Sequence, residues 1–265
     1  MADQEQHQQQ QPQEKNGRGG VSERARRIQR QLQWRRARGA DRAFALDVGG
    51  HQLEAIQITG GETSGLGTGA IVWDCAVVLS KYLEKNLKSF QPPPASIVEL
   101  GSGNGLLGMV CALFFDQAKV VVTEQAPLLP LIHQNLEHNG TNNPRVADVE
   151  VVELNWGDRN EQLEADTISW IVVSDCVFNN APYDLLVDSL VLLAKPETKI
   201  LISIEHRNHK HEDLFWQAMK EKNFGVETVS REDLDEDFSA DDIDVYFLSP
   251  PPLVPLAAVP ITTLA

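Results

Sequence analysis

The amino-acid sequence predicts an α/β protein with a doubly wound, mostly parallel β-sheet. Between residues 97 and 224, short apolar segments alternate with longer segments whose apolar residues recur at helical spacing. The first apolar segment runs directly into a glycine-rich turn at residues 101–108. The last two strand-like segments have no helix-length segment between them. Alternation of this kind forms right-handed βαβ units, whereas the last two segments predict an antiparallel β-hairpin at one edge of the sheet.

The N-terminal part of the chain differs from the rest. Residues 1–20 are rich in Gln and low in complexity, which predicts disorder. Residues 21–39 contain clustered Arg and predict a basic helix outside the core. Its apolar face is formed by Val21, Ala25, Ile28 and Leu32. We therefore predict an N-terminal extension at residues 1–43, one domain at 44–250 and a C-terminal tail at 251–265.

The elements of the domain are predicted in chain order. A hairpin around Gly49 and Gly50 comes first, and a glycine-rich loop at 59–70 leads into a helix that ends before the proline run at 92–94. Five apolar strands follow, at 97–100, 119–124, 149–156, 168–175 and 199–206. Helices are predicted at 105–115, 128–140, 183–195 and 211–224. Strands at 225–230 and 242–249 complete a seven-stranded sheet, whose apolar inner strands are typical of a sheet covered on both faces.

Charge and cysteine content narrow the possible functions. The formal net charge is -15, but residues 1–44 hold 10 Lys/Arg and 5 Asp/Glu, so the remainder is strongly acidic. Such a domain repels nucleic acid and attracts a cationic partner such as a lysine-rich protein surface, whereas the basic N-terminal arm can contact RNA. No apolar run is long enough for a membrane span. Three scattered cysteines have neither disulfide nor metal-ligand spacing, which indicates a reducing compartment, the cytoplasm or also the nucleus.

The glycine-rich turn predicts a nucleotide-like ligand. Residues 103–108 fit the dinucleotide pattern G-x-G-x-x-G, and residues 99–105 fit the pattern E-x-G-x-G-x-G of S-adenosylmethionine (AdoMet) enzymes. Both patterns bring backbone N–H groups and a helix N-terminus to the ligand. The turn alone therefore leaves both ligands open.

The ends of the predicted strands supply further candidate ligand contacts. In an open α/β sheet the ligand lies outside the carboxyl ends of the strands. The residues at four such ends are Glu99, Glu124, Asn155 with Trp156, and Ser174 with Asp175. A carboxylate such as that of Glu124 can accept both ribose hydroxyls of either nucleotide.

Taken together, these segments resemble the seven-β-strand AdoMet-dependent methyltransferases, which have a Rossmann-like sheet. Within them the chain resembles the protein-lysine methyltransferases of the methyltransferase-like 21 group. The resemblance covers about residues 45–249 and rests on the segments GTGAIVWDCAVVLSKYLE, VELGSGNGLLG, ELNWGD and SDCVF. The first segment is also similar to that of the methyltransferase of valosin-containing protein.

The resemblance implies AdoMet as the cofactor and a role for each matching residue. By this resemblance, Trp73 closes over the methionine end of AdoMet and Glu124 holds the ribose. The adenine is flanked by Asn155 and Trp156, and Ser174 lies against the cofactor. The backbone contacts come from Gly101, Ser102 and Gly103, in the motif that also contains Glu99. Asp175 then faces the target amine, and Phe178 replaces the Tyr that many members carry. This replacement keeps an aromatic wall but loses a hydroxyl group.

The implied reaction is the transfer of a methyl group to a lysine side chain of a protein. A lysine amine has an unperturbed pKa of about 10.4, so a site that uses it as a nucleophile must desolvate and orient it. We assign the orientation and desolvation of the amine to Asp175 and Phe178, as the catalytic pair. The resemblance implies a chaperone, elongation factor or ribosomal protein as substrate. The alternatives are a small-molecule methyltransferase, a dehydrogenase, or a non-catalytic protein-binding module on the same fold.

Overall fold

The computed structural model describes residues 23–37, 41–60 and 66–252. The predicted disorder of residues 1–20, part of the glycine-rich loop and residues 253–265 of the tail lie outside these ranges. The strands are β1 Ala43–Val48, β2 His51–Ile56, β3 Ser96–Leu100, β4 Lys119–Glu124, β5 Glu150–Glu153, β6 Trp170–Ser174, β7 Lys199–Glu205, β8 Gly225–Thr228 and β9 Ile243–Ser249. The α-helices are α1 Glu23–Ala37, α2 Asp74–Asn86, α3 Leu106–Phe114, α4 Leu129–Gly140, α5 Pro144–Ala147, α6 Glu161–Ala165, α7 Tyr183–Leu193 and α8 His209–Glu221.

Seven strands form one mixed sheet in the order β5-β4-β3-β6-β7-β9-β8. The first five strands of this order pair in parallel, whereas β9 pairs antiparallel with both β7 and β8. This confirms the predicted doubly wound α/β fold with an antiparallel pair at the edge. Strand β9, the last among the described residues, is not the outermost strand of the sheet. It buries Ile243, Val245 and Leu248, whereas all four residues of β8 are exposed.

The sheet is covered on both faces, as its apolar strands predicted. Along β6, Trp170 and Val172 belong to the core shared with α2 and α3. The alternate residues, Ile171 and Val173, belong to the core shared with α7 and α8. Because neighbouring residues of a strand point to opposite faces, this strand serves two separate cores.

The predicted N-terminal hairpin is also present. Strands β1 and β2 form a separate antiparallel sheet, and the turn between them uses Gly49 and Gly50, both at positive φ. Leu53 and Ala55 of β2 are fully buried and belong to the same core as α2 and α3. No helix among the described residues is long and apolar enough to span a membrane.

Helix α1 does not lie outside the core as the sequence suggested. Trp34 is 8% exposed, its Nε1 donates to the carbonyl of Asp237 at 3.0 Å, and its ring lies 5.8 Å from that of Phe238. The described part of the expected apolar face points to solvent instead, since Ile28 and Leu32 are each 46% exposed. Val21 of that face lies outside the described residues. The periodicity was misleading because α1 packs through an aromatic ring and polar groups. The predicted boundary between residues 43 and 44 therefore divides α1 from the domain on which it packs.

Candidate active site

A cavity of about 330 Å³ opens at the carboxyl ends of β3, β4 and β6. This volume lies in the range of about 300–1,000 Å³ that small-molecule sites occupy. Ten of the eleven predicted site residues line it: Trp73, Gly101, Ser102, Gly103, Glu124, Asn155, Trp156, Ser174, Asp175 and Phe178. The remaining lining comes mainly from the glycine-rich loop around Leu66 and from apolar residues that include Leu185. The residues predicted from the ends of the strands therefore lie, apart from Glu99, around one cavity.

The glycine turn brings the backbone close to this cavity. Gly101, Gly103 and Gly105 have φ values of +65°, +58° and +86°, which side chains disfavour. A Cβ on Gly103 would lie 2.8 Å from the carbonyl oxygen of Gly69. Helix α3 then begins at Leu106. The turn therefore has the close backbone approach that a bound nucleotide requires.

Glu124 is held at the cavity by two backbone groups. Its Oε2 accepts the N–H of Gly103 at 2.9 Å, and its Oε1 accepts the N–H of Gln125 at 2.9 Å. Burial raises the pKa of Glu124, while these two hydrogen bonds lower it. The carboxylate is thus oriented before a ligand arrives, and its remaining lone pairs can accept ribose hydroxyl groups.

Two tryptophans form walls of the cavity. Trp73 immediately precedes α2, and its Nε1 donates to the carbonyl of Thr68 at 2.8 Å. Trp156 lies against the glycine turn, since a Cβ on Gly101 would be 2.9 Å from its Cζ2. The next residue, Gly157, has a φ of +85° and donates its N–H to Ser189 Oγ at 2.8 Å. Both rings are therefore fixed by hydrogen bonds or by close packing with the loops that carry them.

Glu99 is the predicted cofactor residue that does not line the cavity. The residue is 1% exposed, and a Cβ on Gly108 of α3 would lie 2.9 Å from its Oε2. Burial raises the pKa of Glu99 to about 8. Its motif position indicated a ligand contact, but the alternation of β3 turns this side chain under the loop and towards α3. The carboxyl group therefore lies buried behind the turn, and neither of its oxygens has a hydrogen-bond partner among the described residues.

Glu99 is expected to make stability depend on pH. Its pKa is higher in the folded state than in the unfolded chain, so the folded protein favours the neutral acid. The associated stabilisation is present below about pH 4.5 and is lost as the pH rises towards about 8. Glu99→Gln cannot ionise, so its stability relative to the wild type should increase over this window by a few kcal/mol. Urea unfolding at several pH values measures this difference.

Glu150→Gln, at an exposed carboxylate that pairs with Lys119, is the control for the replacement of a carboxylate by an amide. Its curve should run parallel to that of the wild type. If the Glu99→Gln curve is also parallel, Glu99 is ionised in the folded protein and its environment has been misjudged.

Asp175 occupies a constrained position at the end of β6. Its φ is +56°, which is uncommon for a residue other than glycine and is best tolerated by Asn and Asp. Its side chain is 3% exposed, and its N–H donates to the carbonyl of Ser203 at 3.0 Å. Asp175 does not cap a following helix, since α7 begins only at Tyr183. A strained polar residue that lines a cavity indicates a functional role.

The main partner of Asp175 is Arg207, which the sequence interpretation missed. Nη1 and Nη2 of Arg207 donate to the two carboxylate oxygens of Asp175, each at 2.7 Å. The guanidinium group also lies 4.9 Å from the ring centroid of Trp73 and pairs with Glu205. A signal was present, since Arg207 follows the carboxyl end of β7, the strand beside β6.

Other reactive residue types near the cavity have no evident part in the chemistry of the site. Cys176 lines the cavity, but burial raises the pKa of its thiol, so it is not a thiolate nucleophile. Among the described residues, His206, His209 and Glu212 are near enough to one another to hold a metal ion, and none of them lines the cavity. The two ring nitrogens of His206 already contact Glu212 and Asp244, at 2.8 and 2.9 Å.

The cavity fits AdoMet by the chemistry of its lining. The glycine turn gives close backbone approach, Glu124 supplies acceptors for hydroxyl groups, and Trp156 supplies an aromatic face for a base. Asp175 and Phe178 line the same cavity. The residues present therefore match the ligand that the sequence resemblance implied.

Comparison with known proteins agrees with this geometry. Residues 52–222 match a family model described as lysine methyltransferase. The chain is 30% identical over 181 residues to protein N-lysine methyltransferase METTL21A of Danio rerio, covering 68% of this chain and 77% of that relative. It is 30% identical to EEF1A lysine methyltransferase 3 of Xenopus tropicalis, covering 66% of this chain and 75% of that relative. It is 32% identical to METTL21E of Mus musculus, covering 68% and 71%.

Solved structures show the same fold at low sequence identity. The glycopeptide N-methyltransferase MtfA, in complex with AdoMet, aligns with a TM-score of 0.51 and 11% identity, covering 65% of this chain and 94% of that chain. An O-methyltransferase family protein from Burkholderia thailandensis aligns with a TM-score of 0.50 and 12% identity, covering 68% and 59%. These likenesses show the methyltransferase fold.

Proposed function

Because this chain belongs to the lysine methyltransferase family and is an AdoMet-dependent protein-lysine methyltransferase, we propose that Asp175 and Phe178 receive the target lysine. The observation that carries this assignment is their place in the cavity that also contains the glycine turn, Glu124 and Trp156. A cofactor site and an acceptor site must share one cavity for a direct transfer between them.

AdoMet, when bound, supplies an electrophilic methyl group on its sulfonium. We assign its binding to the backbone of Gly101, Ser102 and Gly103, to the carboxylate of Glu124 and to the ring of Trp156. Trp73 and Ser174, at the same end of the cavity as Asp175, would border the methionine part. Each of these residues is oriented by the fold, so positioning accounts for a large share of the rate.

Asp175 has the properties of a hydrogen-bond acceptor for the lysine nitrogen. A carboxylate has about four lone-pair sites, and Arg207 uses one on each oxygen, so each oxygen can accept another N–H. The guanidinium charge also offsets that of Asp175. An unpaired carboxylate would favour the ammonium form of the lysine, whereas a paired one can orient the neutral amine without that penalty.

Phe178 suits the aliphatic stem of the lysine. It lines the cavity together with the apolar side chains of Ala181, Pro182 and Leu185. An apolar wall removes water from the amine, and desolvation lowers the pKa of a lysine. The proposed site thus combines one oriented acceptor with a water-poor surface.

The substrate class is proposed as a basic surface of a translation or chaperone component. The domain is strongly acidic, which attracts lysine-rich surfaces. One relative is named as a methyltransferase of elongation factor 1A, so this factor is the first protein to test. We also propose a reducing location, the cytoplasm or the nucleus, in keeping with three buried free cysteines.

Transfer from tritiated AdoMet tests the proposal. Purified enzyme is incubated with elongation factor 1A and, separately, with cell lysate, and the labelled protein is hydrolysed to amino acids. We expect the label in methylated lysine. Label in arginine or histidine, or only in small molecules, would contradict a protein-lysine acceptor.

A further inference from the structure

A series of ion pairs joins the N-terminal helix to the proposed acceptor carboxylate. Arg35 of α1 lies 3.4 Å from Glu205, measured from Nη2 to Oε1. The other oxygen of Glu205 contacts Arg207, and Arg207 holds Asp175 with two bonds of 2.7 Å. Three ion pairs therefore connect α1 with the cavity.

Arg35 is anchored at the start of this series by two more carboxylates. Its Nε donates to Oδ2 of Asp74 at 2.5 Å, and its two terminal nitrogens bind the two oxygens of Asp242, each at 2.9 Å. Its bidentate pairing with Asp242 gives the guanidinium a defined orientation. The side chain of Asp74 is 1% exposed and that of Glu205 is 9% exposed. Buried carboxylates depend strongly on such partners.

The series lies partly outside the region that the family model covers. That region begins at residue 52, whereas α1 spans Glu23–Ala37. We propose that Arg35 is a positioning residue for methyl transfer, because it shares Glu205 with Arg207 and thereby holds Arg207 on Asp175. This inference rests on the proposed role of Asp175 in binding the lysine.

The charges around Arg35 and Arg207 predict how the loss of Arg35 changes the rate of methyl transfer and its pH dependence. The charged groups are Asp74, Asp175, Glu205 and Asp242 facing Arg35 and Arg207; the nearby thiol of Cys75 is neutral because burial raises its pKa. Without Arg35, Glu205 draws more of Arg207 away from Asp175. The site also becomes more negative, which favours the ammonium form of the incoming lysine. Both effects slow transfer, and the second moves the pH of half-maximal rate upwards.

The test compares Arg35→Gln with Gln31→Ala. Gln31 also docks α1, through a bond to the carbonyl of Ser239, but it carries no charge. Initial rates of tritium transfer into the protein that the wild type labels, at saturating AdoMet, should fall about five- to tenfold for Arg35→Gln. Arg35→Lys keeps the charge but not the bidentate pair with Asp242, so it should recover only part of this loss. Gln31→Ala should cost less than twofold. AdoMet affinity should change little in all three.

The double variant separates positioning from general destabilisation. If Arg35 acts mainly through Asp175, Arg35→Gln should cost clearly less in the Asp175→Asn background than in the wild type, because only its effect on the charge of the site remains. An equal loss in both backgrounds, or an unshifted pH profile, would overturn the inference. If Arg35→Gln does not fold, Glu205→Gln breaks the same series while Arg35 keeps Asp74 and Asp242. Because this change also removes the carboxylate that competes with Asp175 for Arg207, it should keep or raise the rate and move the pH of half-maximal rate downwards. A fall in the rate would overturn the inference.

The same variants distinguish a failure of this inference from a failure of the proposed function of Asp175. If Asp175→Asn retains full activity, the proposed acceptor role fails regardless of Arg35. If Asp175→Asn loses activity while Arg35→Gln retains it with an unshifted pH profile, the acceptor role stands and only the link to α1 is wrong.

Discussion

Gly103→Ala is expected to weaken AdoMet binding by about 100-fold or more. Gly103 has a φ of +58°, and a Cβ there would lie 2.8 Å from the carbonyl oxygen of Gly69, so the turn and the loop cannot keep their present separation. The same shift disturbs the N–H that orients Glu124. Backbone strain of about 1–3 kcal/mol, added to the displaced contacts, corresponds to a loss of roughly 100-fold or more in affinity. Calorimetric titration with AdoMet measures this.

Gly50→Ala is the matched control for this change. Gly50 also has positive φ, at +79°, but a Cβ there would meet nothing within 4 Å. It therefore reproduces the conformational strain without the steric contact and lies in the hairpin turn rather than at the cavity. Unchanged AdoMet affinity in Gly103→Ala would show that the cofactor does not use this turn.

Asp175→Asn is expected to slow methyl transfer about 10- to 100-fold, because one oriented hydrogen bond to a charged group is worth roughly 1.5–3 kcal/mol. Asn is chosen because it tolerates the φ of +56° at this position, whereas Ala would add backbone strain to the loss of charge. AdoMet affinity should change by less than about threefold if this carboxylate faces the acceptor. Single-turnover rates and AdoMet titration separate the two quantities.

Asp148→Asn removes a carboxylate from an exposed pair with Arg145 and serves as the charge control. It should leave both quantities unchanged. A collapse of AdoMet affinity in Asp175→Asn would instead assign Asp175 to the cofactor site, and full activity would remove it from the reaction.

Local patterns were sufficient to predict most of the sheet and most of the cavity. Strand β4 has the bounds that its apolar run predicted, and the other inner strands differ by a few residues at their ends. Parallel strands bring their carboxyl ends to one edge, so residues as distant in sequence as Glu124 and Asp175 could be assigned to one site without knowing any contact. The direction of a side chain was less predictable. Glu99 belongs to the right motif but points under the loop.

Contacts between distant parts of the chain were not predictable in the same way. Arg207 and Arg35 stand in polar segments that resemble any solvated surface, and their partners Asp175 and Asp74 are 32 and 39 residues away. The docking of α1 was missed for the same reason, since its buried contact is one tryptophan among polar residues.

The sequence by itself determined the fold class and the edge of the sheet at which the cavity lies, because these follow from periodicity and glycine placement. It indicated the family through the resemblance of four segments. Only the tertiary structure decided that Asp175 is paired with Arg207, that Glu99 lies behind the glycine turn and that α1 packs on the domain. The physical reason is the range of the interactions. Periodic burial is encoded within each segment, whereas an ion pair depends on where two remote segments meet.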